Sequence, residues 1–300
     1  MSCGHELSGL DRVPWERLHH AYGPATDVPA QLRALRSQDP GTRAQALGQL
    51  FGNVYHQGTR WQASAYAVPF LVGLIDDPHV PGRGAILDLL TAIAIGDLRD
   101  DALPFDPAQA FAAGGDALTE EQLDEVVRRV YDDDDDPFSD AELSDLADRA
   151  VFQWAAGAYE AAAHHVDRYR CWLDDPDADV AATSAALLAW FTPTDGTLAA
   201  LLAVPGDRVE VRASANLTLA HAADGRVDVD QHLGRLVEDG GDLVALTAAV
   251  ALAYRTGQAL SEPALDCLID ADAVALPDQI PGWDRAPLGF VALARQRLGL

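Results

Sequence analysis

The chain contains no lysine, and all 21 of its basic residues are arginine. Against them stand 47 acidic residues, for a formal net charge of −26 over 300 residues. Cations this scarce argue against nucleic-acid backbone binding, because duplex affinity rests on neutralising phosphates with Lys and Arg. Cysteine is scarce too: Cys3, Cys171 and Cys267 are odd in number and far apart. They suit a reducing cytoplasm and no disulfide framework. No apolar run reaches the roughly 18 residues that a membrane span needs. Met1 to Leu10 has neither a basic stretch nor an apolar one, so no signal peptide and no membrane association are expected. Strand-like alternation is nearly absent. So are a glycine-rich phosphate loop, Gly-x-Ser-x-Gly and His-Glu-x-x-His. No cofactor is implied.

Helical periodicity is what the chain does have, together with 49% hydrophobic residues to build a core. Leu32 and Leu35 follow Asp27 and Pro29, an N-cap and an early Pro, and Ala46, Leu47 and Leu50 follow Asp39-Pro40-Gly41. Val68 to Leu74 and Ile86 to Ile95 continue the series. Thr119 with Gln122, and Ser139 with Glu142, read as capping boxes. The links are short and rich in Asp, Pro and Gly, which predicts antiparallel helical neighbours.

A repeat lies on top of this pattern. The segments starting at Val180, Val211 and Val244 align at offsets of 31 and 33, bringing Leu188, Leu219 and Leu252 into register. Two short helices in such a period predict stacked helical hairpins, an all-α, α-solenoid fold. Val211-Arg212-Ala213 with Leu217 and Leu219 resembles the second helix of the HEAT-repeat family. Asp39-Pro40 followed by Thr42-Arg43-Ala44 is similar to it as well, whereas Val180 and Val244 lack the Arg. Trp15, Tyr22-Gly23, His56-Gln57-Gly58 and Val68-Pro69-Phe70-Leu71 look like bacterial HEAT-like proteins. The resemblance covers about residues 27–96 and 151–257. It implies an architecture and leaves function open, since HEAT-like proteins include binding scaffolds, lyases and glycosylases.

The organisation expected is N-terminal hairpins over 1–96, an acidic insertion over 97–150, and C-terminal repeats with a cap over 151–300. Residues 97–150 hold 18 acids against 4 Arg. Positions 97–118 read as a loop, and 119–131 and 139–150 as helices. The run Asp132 to Asp136 fails as a calcium loop, because Pro137 stands where Gly is required and Leu143 where Glu is.

Four residues hold equivalent repeat positions: Tyr159, Trp190, His221 and Tyr254. They either form a ladder on a concave binding surface or pack into the core between repeats. Tyr55, His56 and Trp61 form a second candidate surface around a turn. Glu160, His164 and Asp167 sit at i, i+4 and i+7 on one helix, a spacing that puts three potential metal ligands on a single face, though a weak signal without a ligand from another element. Cys3-Gly4-His5 is a weaker motif still. No catalytic residue is identifiable. The reading this supports is a non-enzymatic interaction module whose acidic surface binds a basic protein. A neutraliser or immunity protein for a basic effector, and a lyase-type enzyme with a concave pocket, are the alternatives.

Overall fold

The computed structural model describes residues 7–132, 141–222 and 225–300. The Cys3-Gly4-His5 motif, positions 133–136 of the acidic run and Ser139 lie outside them. Among the described residues the fold is all-α, with fifteen α-helices and two minimal hairpins. The chain divides into two compact units. Met1–Asp97 with Asp106–His165 forms the first, and Leu98–Phe105 with Val166–Leu300 the second.

The first unit holds β1 (His19–His20) paired with β2 (Gly23–Pro24), α1 (Val28–Ala34) and α2 (Pro40–Asn53). Next come β3 (Tyr55–His56) paired with β4 (Thr59–Arg60), α3 (Gln62–Asp76) and α4 (Arg83–Ile95). α5 (Pro107–Phe111), α6 (Glu120–Asp132) and α7 (Ala141–Ala163) complete it. The start of α2 is set locally. The Asp39 carboxylate accepts from the Thr42 N–H and hydroxyl, both at 2.7 Å, and Pro40 supplies a fixed φ in the first turn. Those bonds hold the Asp39 carboxyl below its ordinary pKa. Leu32, Leu50, Leu71, Leu74, Leu87 and Leu90 are fully buried. α7 runs unbroken through position 150 and packs against α3 and α4. Leu118, Val126, Val127, Ala147, Ala150 and Trp154 form an apolar seam beneath the acidic helices. Positions 97–118 are more ordered than a loop: a 3₁₀ turn at Asp100–Ala102 and α5 fall within them. Asp106 caps α5 through the Ala108 and Gln109 N–H groups, a local signal for a helix start.

The second unit holds α8 (Val166–Trp172), α9 (Ala178–Leu187), α10 (Asp195–Ala203) and α11 (Val209–Leu219). After these come α12 (Val227–Asp239), α13 (Asp242–Thr256), α14 (Glu262–Ile269) and α15 (Pro287–Leu298). α11 packs against both α9 and α13, and every residue from Val211 to Leu219 is buried. Alanines along α9 and α13 let the three helices approach closely. Polar groups inside the stack bond across it. Ser214 Oγ donates to the Ala182 carbonyl at 2.7 Å, and Thr218 Oγ1 donates to that of Ala185 at 2.6 Å. Asn216 Nδ2 donates to the Val244 carbonyl and Thr247 Oγ1, each at 3.1 Å. Most of these bonds join residues 31 to 33 apart, the spacing of the sequence repeat. Gly282, at φ +82, sits over α9 where a Cβ would lie 2.6 Å from the Ala186 methyl. That close approach seats Trp283, whose indole N–H donates to Ser214 Oγ at 2.9 Å.

Arg212 is fully buried without a carboxylate partner among the described residues. Its Nη1 donates to the Leu201 and Val204 carbonyls at the end of α10, and its Nε to Asn216 Oδ1 at 3.0 Å. Burial lowers its pKa to about 10, so the guanidinium stays charged at neutral pH, balanced by the negative end of a helix dipole. Replacing Asn216 by Ala removes an acceptor from this cation and a donor from α13. A loss of about 2–4 kcal/mol in unfolding free energy, measured by urea denaturation, is the expected result.

Candidate interaction surface

The four repeat-equivalent residues do not share one environment. Tyr159 lies on α7 in the first unit, 6% exposed, with the Phe111 ring centroid 5.7 Å away. Burial pushes its hydroxyl pKa up to about 12. Trp190 closes a 3₁₀ turn after α9, 5% exposed, with Phe105 edge-on at 5.9 Å. His221, just past α11, and Tyr254, on α13, meet edge to face at 5.9 Å. The Arg297 guanidinium lies 3.8 Å from the centre of the Tyr254 ring, and Arg285 pairs with Asp100 at 2.8 Å nearby. Burial, helped by Arg297, lowers the His221 pKa to about 4. A cavity of about 20 Å³ borders His221, room for roughly one water. Arg297, Arg285, Asp100 and Phe105 carried no local signal, because they reach this cluster from distant parts of the chain.

Tyr55 and His56 form β3, and the turn to β4 places Gln57 at φ +48 and Gly58 at φ +83. The Tyr55 hydroxyl donates to the Asp97 carboxylate. Trp61 precedes α3 and stacks on Trp154 at 5.9 Å, with Tyr131 at 6.3 Å. Tyr22, 67% exposed, packs edge-on against His56, its hydroxyl 3.4 Å from His56 Nδ1. Tyr22, Tyr131 and Trp154 are the additions that sequence reasoning missed. Beside them His20 resembles half of a catalytic dyad, 2.9 Å from Asp27. Its Nδ1 accepts the Tyr22 N–H at 3.1 Å, so Nε2 must carry the proton donated to Asp27. Both ring nitrogens are committed to structure. Asp27 Oδ2 also accepts from Gln31 and Asn53, at 2.8 and 2.9 Å, which ties β1 to α1 and α2.

The proposed metal-ligand face of Glu160, His164 and Asp167 does not exist as a helical face. α7 ends at Ala163 and α8 begins at Val166, so Glu160 and Asp167 belong to different helices and His164 to the turn. His164 Nδ1 bonds to the Glu160 carbonyl at 2.7 Å, and Asp167 pairs with Arg170 at 3.2 Å. Among the described residues no group of three His, Cys, Asp or Glu side chains could hold a metal.

An opening in the second unit lies at the N-terminal ends of α9, α11 and α13. It is a groove of about 550 Å³ lined by Pro176, Ala178, Val209, Val211, Leu243 and Pro277, with Asp207, Arg208 and Glu210 as its charged groups. Arg208 is held by the Leu173 and Asp175 carbonyls, both at 2.5 Å.

His221 and His232 give this unit a signed pH response. Burial and neighbouring arginines lower both pKa values from 6.5 to about 4. Between pH 6.5 and 4 the unfolded chain therefore binds protons that the folded one refuses, and stability falls as pH falls. On going from pH 7 to pH 5, the urea midpoint of the wild type is expected to drop further than that of a His221→Gln/His232→Gln variant. Equal drops would show that neither imidazole is held neutral. Compared with known proteins, the chain matches no family model, no curated protein and no solved structure.

Proposed function

We propose that the chain is a HEAT-like α-solenoid acting as a non-enzymatic interaction module, with an acidic surface that binds a basic protein. The repeat reading draws on α11 lying between α9 and α13, with bonds that follow the 31–33 residue spacing. It draws also on Arg43 and Arg212, which stand early in α2 and α11 and bond to carbonyls at the end of the preceding helix.

One observation carries the functional reading: a set of arginines donates to main-chain carbonyls near helix ends. Arg43 donates to Ser37, Arg83 to Ile75, Arg208 to Leu173 and Asp175, and Arg212 to Leu201 and Val204. Arg255 donates to Leu219 and Ala222, and Arg295 to Leu268 and Ile269. Each acceptor lies at or just past a helix C-terminus, where cations are favoured. Two of these arginines, Arg255 and Arg295, also pair with carboxylates, those of Asp230 and Asp272. The formal surplus of 26 negative charges sets a field that draws in basic partners and repels acidic ones.

The test is capture from host lysate on the immobilised full chain, eluted with rising salt. A stoichiometric basic protein should leave at moderate ionic strength, because the Debye length contracts from about 10 Å at 0.1 M to about 3 Å at 1 M. Recovery of partners with no excess of Lys and Arg, or retention indifferent to salt, would sink the reading.

A further inference from the structure

We propose that the groove at the N-terminal ends of α9, α11 and α13 docks an extended segment of a partner protein that carries basic and aliphatic side chains together. This rests on the reading above and gives it a place and a binding chemistry.

The floor is apolar. Val209 is 44% exposed although it opens a helix whose later residues are buried, and Val211 and Leu243 lie beside it. Pro176 and Pro277 add apolar wall and have no N–H to hydrogen-bond a ligand.

The rim is acidic. Asp207 and Glu210 are exposed and have no ion-pair partner among the described residues. The one cation in the lining, Arg208, points its guanidinium to two carbonyls. Three helix N-termini converge here, each worth roughly half a positive charge. That would favour an anion if it stood alone. Carboxylates outweigh it: Asp177 and Asp179 at the start of α9, Glu210 in the first turn of α11 and Asp242 in that of α13. The local sign is negative, so the complement is a cation.

Size argues for an extended chain. Neighbouring helices pack about 8–10 Å apart, so three ends span about 20 Å. A strand rising about 3.3 Å per residue covers that with about six residues. Aliphatic side chains would enter the Val209–Leu243 floor, and Lys or Arg heads would reach Asp207 and Glu210.

The experiment is fluorescence anisotropy on the full chain at low salt, with three labelled octapeptides: lysine interleaved with leucine, all lysine, and glutamate interleaved with leucine. The Lys–Leu peptide should bind tightest and the Glu–Leu peptide not at all. An Asp207→Asn/Glu210→Gln variant should weaken Lys–Leu binding about tenfold, while the same neutralisation on α6, Glu120→Gln/Glu121→Gln, changes it less than about twofold. Val209→Ser should weaken the Lys–Leu peptide and leave the all-Lys peptide unaffected. If the groove variant loses no more than the α6 variant, or all-Lys binds as tightly as Lys–Leu, the groove assignment is overturned and the acidic-module reading stands. If neither basic peptide binds, the groove assignment is overturned, and the salt-graded lysate capture decides the acidic-module reading separately.

Discussion

The second unit depends on burying a helix that still carries polar side chains. α11 is covered along its length, so Arg212, Ser214, Asn216 and Thr218 have no water to turn to. Each finds a partner in a neighbouring element: carbonyls of α9 and α13 for Ser214, Asn216 and Thr218, and the end of α10 for Arg212. An apolar stack would allow sliding along the helix axes. Hydrogen bonds between a particular hydroxyl and a particular carbonyl do not, because a shift of one residue leaves buried groups unsatisfied at a cost of about 1–3 kcal/mol each. The seam therefore fixes register, and register fixes where the ends of α9, α11 and α13 fall. The groove at those ends follows from it.

The same economy of polar groups governs where the cations are placed. Helix C-termini leave carbonyls without intrahelical partners. In this chain arginines supply many of the missing donors, and one guanidinium often serves two carbonyls, as Arg208, Arg212 and Arg255 do. A cation fixed at a helix end stabilises that end. The acidity of the molecule itself follows from number alone, 21 cations against 47 carboxylates. One guanidinium meets an aromatic face instead, that of Arg297 over Tyr254, with the Arg285–Asp100 pair nearby.

Legibility of the sequence varied with the range of the interaction involved. The start of α2 could be read from Asp39, Pro40 and Thr42, because its hydrogen bonds close within three residues. The end of α7 could not. Residues 161–166 read Ala-Ala-Ala-His-His-Val, with no Gly or Pro to stop a helix, and the break before Val166 removed the face on which Glu160, His164 and Asp167 were to meet. The alignment of Trp190, His221 and Tyr254 carried no direction. A shared repeat position does not say whether a side chain ends in the core, as Trp190 does, or beside an arginine from α15, as Tyr254 does. Nothing in the sequence joined Tyr22 to His56, since their contact spans 34 residues.

By itself the sequence determined the helical class, the 31–33 residue period, the helix starts marked by Asp and Pro, and a net charge of −26. Each of these is written in spacing or composition and needs no knowledge of what packs on what. Only the tertiary structure decided which arginines face carbonyls, which carboxylates remain at the surface, and that Val209, Asp207 and Glu210 open onto one groove with Leu243 and Pro277. The groove joins residues up to seventy positions apart, from Asp207 to Pro277. At that range neither the helical period nor turn chemistry constrains the chain, and the complementarity of packed helices selects the partners.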